Sequence, residues 1–167
     1  MSIRKKKNEP VVMTVNSSNA NEEELKYISG EAFKALSEMA RIYSSVKDGA
    51  VKTKINELMR ITDKIAQDAS ADPTDIPQIK RFFNYYLPTT IKLLNAYDRM
   101  SAQEIDGENI SRSLNNIDEM LDKAIIAYKK RLDTLFANQA LDIETDIEVM
   151  NTLLEREGLT DSTGDFM

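Results

Sequence analysis

Residues 110–135, ISRSLNNIDEMLDKAIIAYKKRLDTL, decide the fold class of this chain. Apolar side chains recur along this stretch at alternating intervals of four and three residues, apart from two successive intervals of four near its end. A repeat close to 3.5 residues is typical of left-handed, coiled-coil-like helix packing. The pattern predicts a long amphipathic helix that follows a turn at Asp106–Gly107 and an Asn109 cap. Its apolar seam consists of Ile110, Leu114, Ile117, Leu121, Ala124, Tyr128, Leu132 and Leu135.

Two earlier segments have the same helical period. From Glu22, after an Asn21 cap, apolar residues recur every seven positions as far as Val46, which predicts a first long helix. Residues 47–49 (KDG) indicate a turn, and a second helix is predicted over residues 50–69. The faces are Leu25, Ala32, Met39 and Val46 with Ser29, Leu36 and Tyr43, and then Val51, Ile55, Leu58, Thr62, Ile65 and Ala69.

The third predicted helix is rich in aromatic residues and contains a proline. Asp75 is its predicted cap, and Pro77 lies in the first turn, where a missing N–H is harmless. Pro88 lies in the middle of the helix. It frees the carbonyl of Asn84 and predicts a kink, unless Thr89 or Thr90 bonds back to the preceding turn.

The last predicted helix is short. Thr145 and Glu148 form a capping box, and Gly158 ends the helix. Its face is Ile147, Met150 and Leu154. The prediction is an all-α fold, an elongated antiparallel bundle of four long helices, the third kinked at Pro88, plus this short C-terminal helix. Residues 1–21 are predicted to be a flexible basic and polar tail, 22–158 the bundle domain, and 159–167 a polar C-terminal tail.

The composition excludes much chemistry. The 167 residues include no Cys and no His, and only five Gly and four Pro. Without Cys and His there is no disulfide, thiolate nucleophile, imidazole base or ordinary transition-metal site. Any reaction would depend on carboxylates, Lys or Arg, hydroxyls, or a cation bound by oxygen atoms. We therefore expect no cofactor and favour a non-enzymatic role.

Charge is distributed unevenly, with a net value of −6. Arg4, Lys5, Lys6 and Lys7 make the N-terminus basic, whereas residues 140–167 carry eight acidic side chains against Arg156. An acidic body argues against a nucleic-acid partner. No apolar run approaches a membrane span, and no signal-peptide core is present. A cytoplasmic location is expected, with membrane contact at most peripheral, at the inner face, through the basic cluster.

One acidic cluster offers a weak alternative metal site. Asp142, Glu144, Asp146 and Glu148 alternate in the manner of a calcium loop. The sixth position is Ile147 instead of Gly, however, and the twelfth is Leu153 instead of Glu. Acidic residues at a helix start are more commonly caps and partners of the helix dipole, so the metal interpretation is the minor one.

Several motifs resemble one protein family. They are RFFNYYLPTT at residues 81–90, IKLLNAY at 91–97, GENI at 107–110 and ALDIETD at 140–146. Over residues 31–159 the chain resembles the 5-bromo-4-chloroindolyl phosphate hydrolysis (XpaC-like) proteins. The resemblance implies an all-helical bacterial protein associated with TelA-like toxic-anion (tellurite) resistance proteins. Many relatives carry hydrophobic membrane segments ahead of this domain, whereas this chain has only the basic tail. No catalytic residue carries over.

Three functions follow as hypotheses. The first is a non-enzymatic helical module in toxic-anion resistance or envelope stress that docks a TelA-like helical partner, with a homo-oligomer as an open possibility. The second is a Mg²⁺-dependent phosphomonoester hydrolase acting on indolyl-phosphate-like substrates through the acidic cluster. The third is peripheral membrane binding through the basic N-terminus. The predicted partner-binding surface is Asn84, Tyr85, Tyr86, Pro88, Thr89 and Thr90.

Overall fold

The computed structural model describes the backbone of residues 2–160 and the side chains of residues 20–160. Within that range the chain forms helices and no strand, so the predicted all-α class is confirmed. The helices are α1 (Ser2–Ser45), α2 (Gly49–Ala71), α3 (Ile76–Arg81), α4 (Leu87–Ser101), α5 (Glu108–Leu135) and α6 (Ala137–Arg156). A 3₁₀ turn, Pro73–Asp75, precedes α3, and a π-helical turn, Phe82–Tyr86, joins α3 to α4.

The first helix begins earlier than predicted. It starts at Ser2, so Asn21 lies inside α1, and the predicted start of the helix after Asn21 is wrong. Asparagine costs only a fraction of a kcal/mol inside a helix, so a single Asn does not end one. The side chains of Arg4, Lys5, Lys6 and Lys7 lie outside the described residues, and the proposed membrane contact stays a prediction.

Two other predicted caps are also wrong. Asp75 makes no side-chain capping bond to α3, whereas Asp72 accepts a hydrogen bond from the Thr74 amide and caps the 3₁₀ turn. Helix α5 begins at Glu108, which places Asn109 inside the helix. Asp and Asn recur so often in these turns that sequence alone does not identify which of them accepts the bond.

The last helix is longer than predicted. It begins at Ala137, so Thr145 and Glu148 lie inside it and form no capping box. The Thr145 hydroxyl donates instead to the Leu141 carbonyl, at 3.1 Å. The predicted end is confirmed, because Gly158 has a φ of +69° and the Leu159 amide donates to the Leu154 carbonyl at 2.8 Å. These features define a Schellman motif, in which glycine adopts the left-handed conformation at low cost.

The chain divides into two compact units, one ending at Leu132 and one beginning at Asp133. The core of the first unit contains fully buried aliphatic and aromatic side chains. Among the most deeply buried are Met39, Ile42, Ile55, Leu58, Ile65, Ile79, Phe82, Phe83, Leu94 and Leu121.

Contacts between helices of the first unit set their register. Along α1 and the α3–α4 segment, paired residue numbers rise together: Tyr27 bonds to Asn84, and Arg41 bonds to Asn95. Against α5 the order is reversed, because Thr90 meets Tyr128 whereas Gln78 meets Arg131. The π-helical turn thus has α1 on one side and α5 on the other.

Candidate partner-binding site

The π-helical turn is anchored in the core by its first two residues. Phe82 and Phe83 are buried, and their rings meet edge to face at a centroid distance of 5.6 Å. The Tyr128 ring of α5 lies edge-on to Phe82 at 4.6 Å, and the Tyr86 ring stacks on Phe82 at 6.4 Å. Such aromatic pairs add stabilisation beyond the burial of their area. The turn is therefore held by a cluster of four rings.

Pro88 explains why the helix is irregular here. In an α-helix a proline ring clashes with the carbonyl four residues earlier, which is that of Asn84. Asn84 lies within the π-helical turn, whose wider backbone is closed by the Leu87 amide donating to the Phe82 carbonyl. The Thr89 hydroxyl donates to the Tyr85 carbonyl at 3.2 Å and the Thr90 hydroxyl to the Tyr86 carbonyl at 2.9 Å. Both threonines thus make the back-bonds that the sequence left open as an alternative to a kink, and the irregularity lies just ahead of the proline.

Thr90 is part of a buried hydrogen-bond chain. The Tyr128 hydroxyl donates to Thr90 Oγ1 at 2.7 Å, and Thr90 in turn donates to the Tyr86 carbonyl. Burial raises the pKa of Tyr128 well above its ordinary value, so the phenol stays protonated and acts as the donor. The chain connects α5 to the backbone at the end of the π-helical turn.

Helix α1 holds the opposite side of the turn. The Tyr27 hydroxyl donates to Asn84 Oδ1 at 2.7 Å. Lys80 Nζ lies 5.8 Å from the centroid of the Tyr27 ring and 3.2 Å from Glu24 Oε1. The side-chain amide oxygen of Asn84 is therefore occupied by a contact within the fold.

Two tyrosines project from this anchored turn. The Tyr85 side chain is 70% exposed and Tyr86 is 49% exposed. The Arg131 guanidinium lies 5.8 Å from the centroid of the Tyr86 ring, which places a cation beside the exposed aromatic surface. Pro88 and Thr89 are also exposed, whereas Thr90 is buried. Thr90 thus contributes to the predicted surface only as the floor of a groove.

Two grooves flank the segment. The α1–α4 groove, about 410 Å³ in volume, is lined by Glu31, Lys34, Ala35, Glu38, Phe83, Leu87, Pro88 and Ile91. The α4–α5 groove, about 330 Å³ in volume, contains Tyr85, Tyr86, Thr89 and Thr90 on one side. Its other residues are Leu93, Met120, Leu121, Lys123, Ala124, Ala127 and Tyr128.

The acidic cluster does not form a metal centre in the part of the chain that has described side chains. Asp142, Glu144, Asp146 and Glu148 lie within α6 and are all exposed. Successive members are two residues apart, so each points about 200° around the helix from the one before. No group of three or more His, Cys, Asp or Glu side chains in the described residues is placed to hold a metal ion.

A second acidic feature is buried in the first unit. Asp68 and Asp75 are both buried, and the Oδ2 atom of each has no conventional donor in the described structure. Burial, followed by the hydrogen bond to Asp75 and the charges of Asp75 and Asp72, raises the pKa of Asp68 to about 7. A protonated Asp68 carboxyl can donate a hydrogen bond to the Asp75 carboxyl group. The pair joins the end of α2 to the start of α3.

The described residues define an all-helical protein whose most distinctive surface is an anchored, aromatic π-helical turn. The chain belongs to the 5-bromo-4-chloroindolyl phosphate hydrolysis protein family, whose family model matches residues 2–150. No curated protein and no solved structure matches the chain. Between residues 2 and 160, none of the helices has the combined length and hydropathy that a membrane span requires.

The sequence placed Tyr85 and Tyr86 in the candidate surface but gave no sign of the residues that support them. Tyr27, Tyr128 and Arg131 are distant in sequence from residues 84–90, and each contacts this segment across a helix–helix interface. The seam predicted for α5 correctly includes Tyr128, but the pattern contains no signal for its hydroxyl partner. Only the register between helices determines such pairs.

Proposed function

We propose that this protein is a non-catalytic interaction module that binds an α-helix of a partner protein at residues 84–90. In this proposal the first unit is an elongated antiparallel bundle in the cytoplasm, and the partner is a TelA-like protein of toxic-anion resistance. The observation that carries the proposal is the exposure of Tyr85 and Tyr86 on a turn whose neighbouring rings are buried.

The rigidity of the turn supports binding. Asn84 is bonded to α1, Thr90 is bonded to α5, and Phe82 is packed against Tyr128. A tyrosine on such a support loses little conformational entropy when a partner covers it. Exposed Tyr and Arg side chains are also the residue types that contribute most to protein interfaces.

The α4–α5 groove favours a helical partner. Its walls include small and apolar side chains, among them Leu93, Ala124 and Ala127, and the exposed tyrosines lie on its α4 side. An amphipathic helix binds such a groove by inserting apolar anchors spaced three and four residues apart. Lys123 and Arg131 place cations near this groove and near Tyr86, where acidic residues of a partner could pair with them.

The test is titration of the purified full chain with a TelA-like protein encoded in the same genome, by calorimetry. We expect Tyr85→Ala and Tyr86→Ala each to weaken binding by about tenfold or more, as for interface hot spots. Phe33→Ala is the matched control, because Phe33 is an exposed aromatic residue on α1, 74% accessible, outside both grooves. Equal affinity of all three variants and the wild type would contradict the proposal.

The family description favours a second candidate, hydrolysis of an indolyl phosphate by this chain itself. Phosphoryl transfer requires cations that stabilise the transferring group, and Asp142 and Asp146 are the proposed Mg²⁺ ligands. The four acidic side chains of the cluster divide between two sides of α6, which leaves two for one ion and argues against this candidate. Purified protein is incubated with the chromogenic phosphate and Mg²⁺. Turnover that Asp142→Asn and Asp146→Asn abolish would replace the interaction proposal with an enzymatic one.

A further inference from the structure

The side chains of helix α6 are exposed, apart from Leu154, which is half-buried. Its 20 residues, Ala137–Arg156, include no buried side chain. Large apolar residues are nevertheless frequent: Ile143 is 48% exposed, Ile147 is 53% exposed and Met150 is 57% exposed. Soluble proteins rarely leave a contiguous apolar helix face uncovered unless something binds it.

Six apolar residues of α6 and its N-cap follow a heptad, whereas the exposed Leu141, Val149 and Leu153 lie off it. We define the α6 seam as Phe136, Ala140, Ile143, Ile147, Met150 and Leu154, which recur at intervals of four, three, four, three and four residues. This spacing is that of the a and d positions of a coiled coil. The 4–3 intervals keep these residues on one narrow side of the helix. The seam therefore has the geometry that pairs with another helix.

The charges beside the α6 seam are acidic. Glu144 and Asp146 occupy the e and g positions that flank Ile143 and Ile147. The whole helix carries five carboxylates and one basic residue, Arg156, and contains no lysine. The e and g residues of a coiled coil select the partner through charge.

We propose that the α6 seam docks a basic amphipathic helix of another protein, with an apolar heptad seam of its own and Lys or Arg at its flanking positions. A second copy of this chain is the less favourable occupant, because it would bring acidic flanks against acidic flanks. The proposal is independent of the function proposed for residues 84–90, since α6 shares no residue with that segment or with its two grooves.

The probe is a pair of designed heptad peptides with Leu at a and d, one with Lys and the other with Glu at e and g. Binding to the labelled full chain is measured by fluorescence anisotropy. We expect the Lys peptide to bind at least about tenfold more tightly than the Glu peptide, and this difference to shrink at high salt. Equal binding of the two peptides would overturn the proposal.

Variants separate the α6 seam from general acidity. Ile147→Asp is expected to weaken binding of the Lys peptide by about tenfold or more, because it places a charge in the apolar seam. Thr145→Asp adds the same charge to the opposite side of the helix and should change binding less than about twofold. Circular dichroism checks that both variants fold. Equal effects of the two substitutions would show attraction to charge alone and contradict the proposal.

Charge reversal is the sharpest test of partner choice. Glu144→Lys combined with Asp146→Lys should reverse the preference, so that the Glu peptide binds more tightly than the Lys peptide. Analytical ultracentrifugation of the wild-type chain tests the competing occupant. A homodimer that Ile147→Asp dissociates would assign the α6 seam to self-association and overturn the proposal.

Discussion

The Tyr128 hydroxyl lies 2.7 Å from Thr90 Oγ1, so that a side chain of α5 holds α4 directly behind the π-helical turn. Both residues are buried, so bulk water does not compete for this bond. The bond belongs to the same interface as the ring contact between Tyr128 and Phe82. Together these two contacts make Tyr128 the main support of the turn from the side of α5.

Removal of the Tyr128 hydroxyl should lower the free energy of unfolding. Tyr128→Phe keeps the ring but leaves Thr90 without its donor, and we expect a loss of about 1 kcal/mol in the free energy of unfolding. Urea denaturation followed by circular dichroism measures it. Tyr85→Phe, at an exposed tyrosine of the same segment, should leave the stability unchanged within about 0.5 kcal/mol. Equal stability of Tyr128→Phe and the wild type would show that the bond contributes nothing.

The Asp68–Asp75 pair predicts a dependence of stability on pH. The pKa of Asp68 is raised from 3.8 to about 7, so the folded chain holds this proton more tightly than the unfolded chain. Its stabilising contribution is full below about pH 4 and is lost as the pH rises through about 7. Asp68→Asn removes the titration and should raise stability at pH 7.5, by at most about 4 kcal/mol.

The measurement is the urea midpoint at several values between pH 4 and pH 7.5. The difference between wild type and Asp68→Asn isolates this group from the other carboxylates. Asp63→Asn, at an exposed residue of the same helix, is the matched control and should leave the pH dependence unchanged. A wild-type and an Asp68→Asn profile that run parallel would refute the raised pKa of Asp68.

Thr62 offers a site for stabilisation. It lies in the apolar face of α2, is completely buried, and its hydroxyl oxygen has no partner in the described structure. Thr62→Val keeps the shape and removes the unpaired polar atom, so we expect a gain of about 1 kcal/mol in the free energy of unfolding. Thermal denaturation checks this, with Thr53→Val, at an exposed residue of α2, as the control. A lower melting temperature for Thr62→Val would mean that the hydroxyl has a partner such as a bound water.

Two glycines should respond in opposite directions to the same substitution. Gly30 lies within α1 and has open space where an alanine methyl group would lie, so Gly30→Ala should stabilise the protein by about 0.5–1 kcal/mol. Gly158 has a φ of +69°, so Gly158→Ala should destabilise the end of α6 by about 1 kcal/mol. Helix content and melting temperature measure both. The same sign for both substitutions would contradict the backbone argument.

The sequence was sufficient for the helical class and for the buried face of α2. All six residues predicted for that face, from Val51 to Ala69, are buried. The face of α1 was only partly correct: Ala32, Met39 and Val46 are buried, but their companions are Ile28, Ala35 and Ile42, and Tyr43 is 37% exposed. Apolar residues occur on both flanks of this face, and only the packed neighbours decide which flank is covered.

The site shows a similar division. The run of aromatic residues and the proline identified residues 84–90. The backbone bonds of Thr89 and Thr90 could be stated as an alternative to a kink, because they depend on near neighbours. The π-helical turn was not predicted, since its energy depends on how Phe82 and Phe83 pack in the core. The acidic residues beside the α6 seam were interpreted as part of a helix start at Thr145. The apolar intervals that identify the seam begin at Phe136, upstream of that predicted cap.

The π-helical turn also sets the direction in which the buried side chains of this segment point. Ile79, Phe83 and Leu87 are buried at two successive intervals of four. In a uniform α-helix eight residues advance the direction of the side chains by about 80° beyond two full turns. The wider π-helical turn removes this excess rotation. Buried residues before and after Phe82–Tyr86 therefore point into the same core. Deletion of a single residue from this turn would therefore rotate the whole of α4 relative to its neighbours, and no substitution within the turn can replace its length.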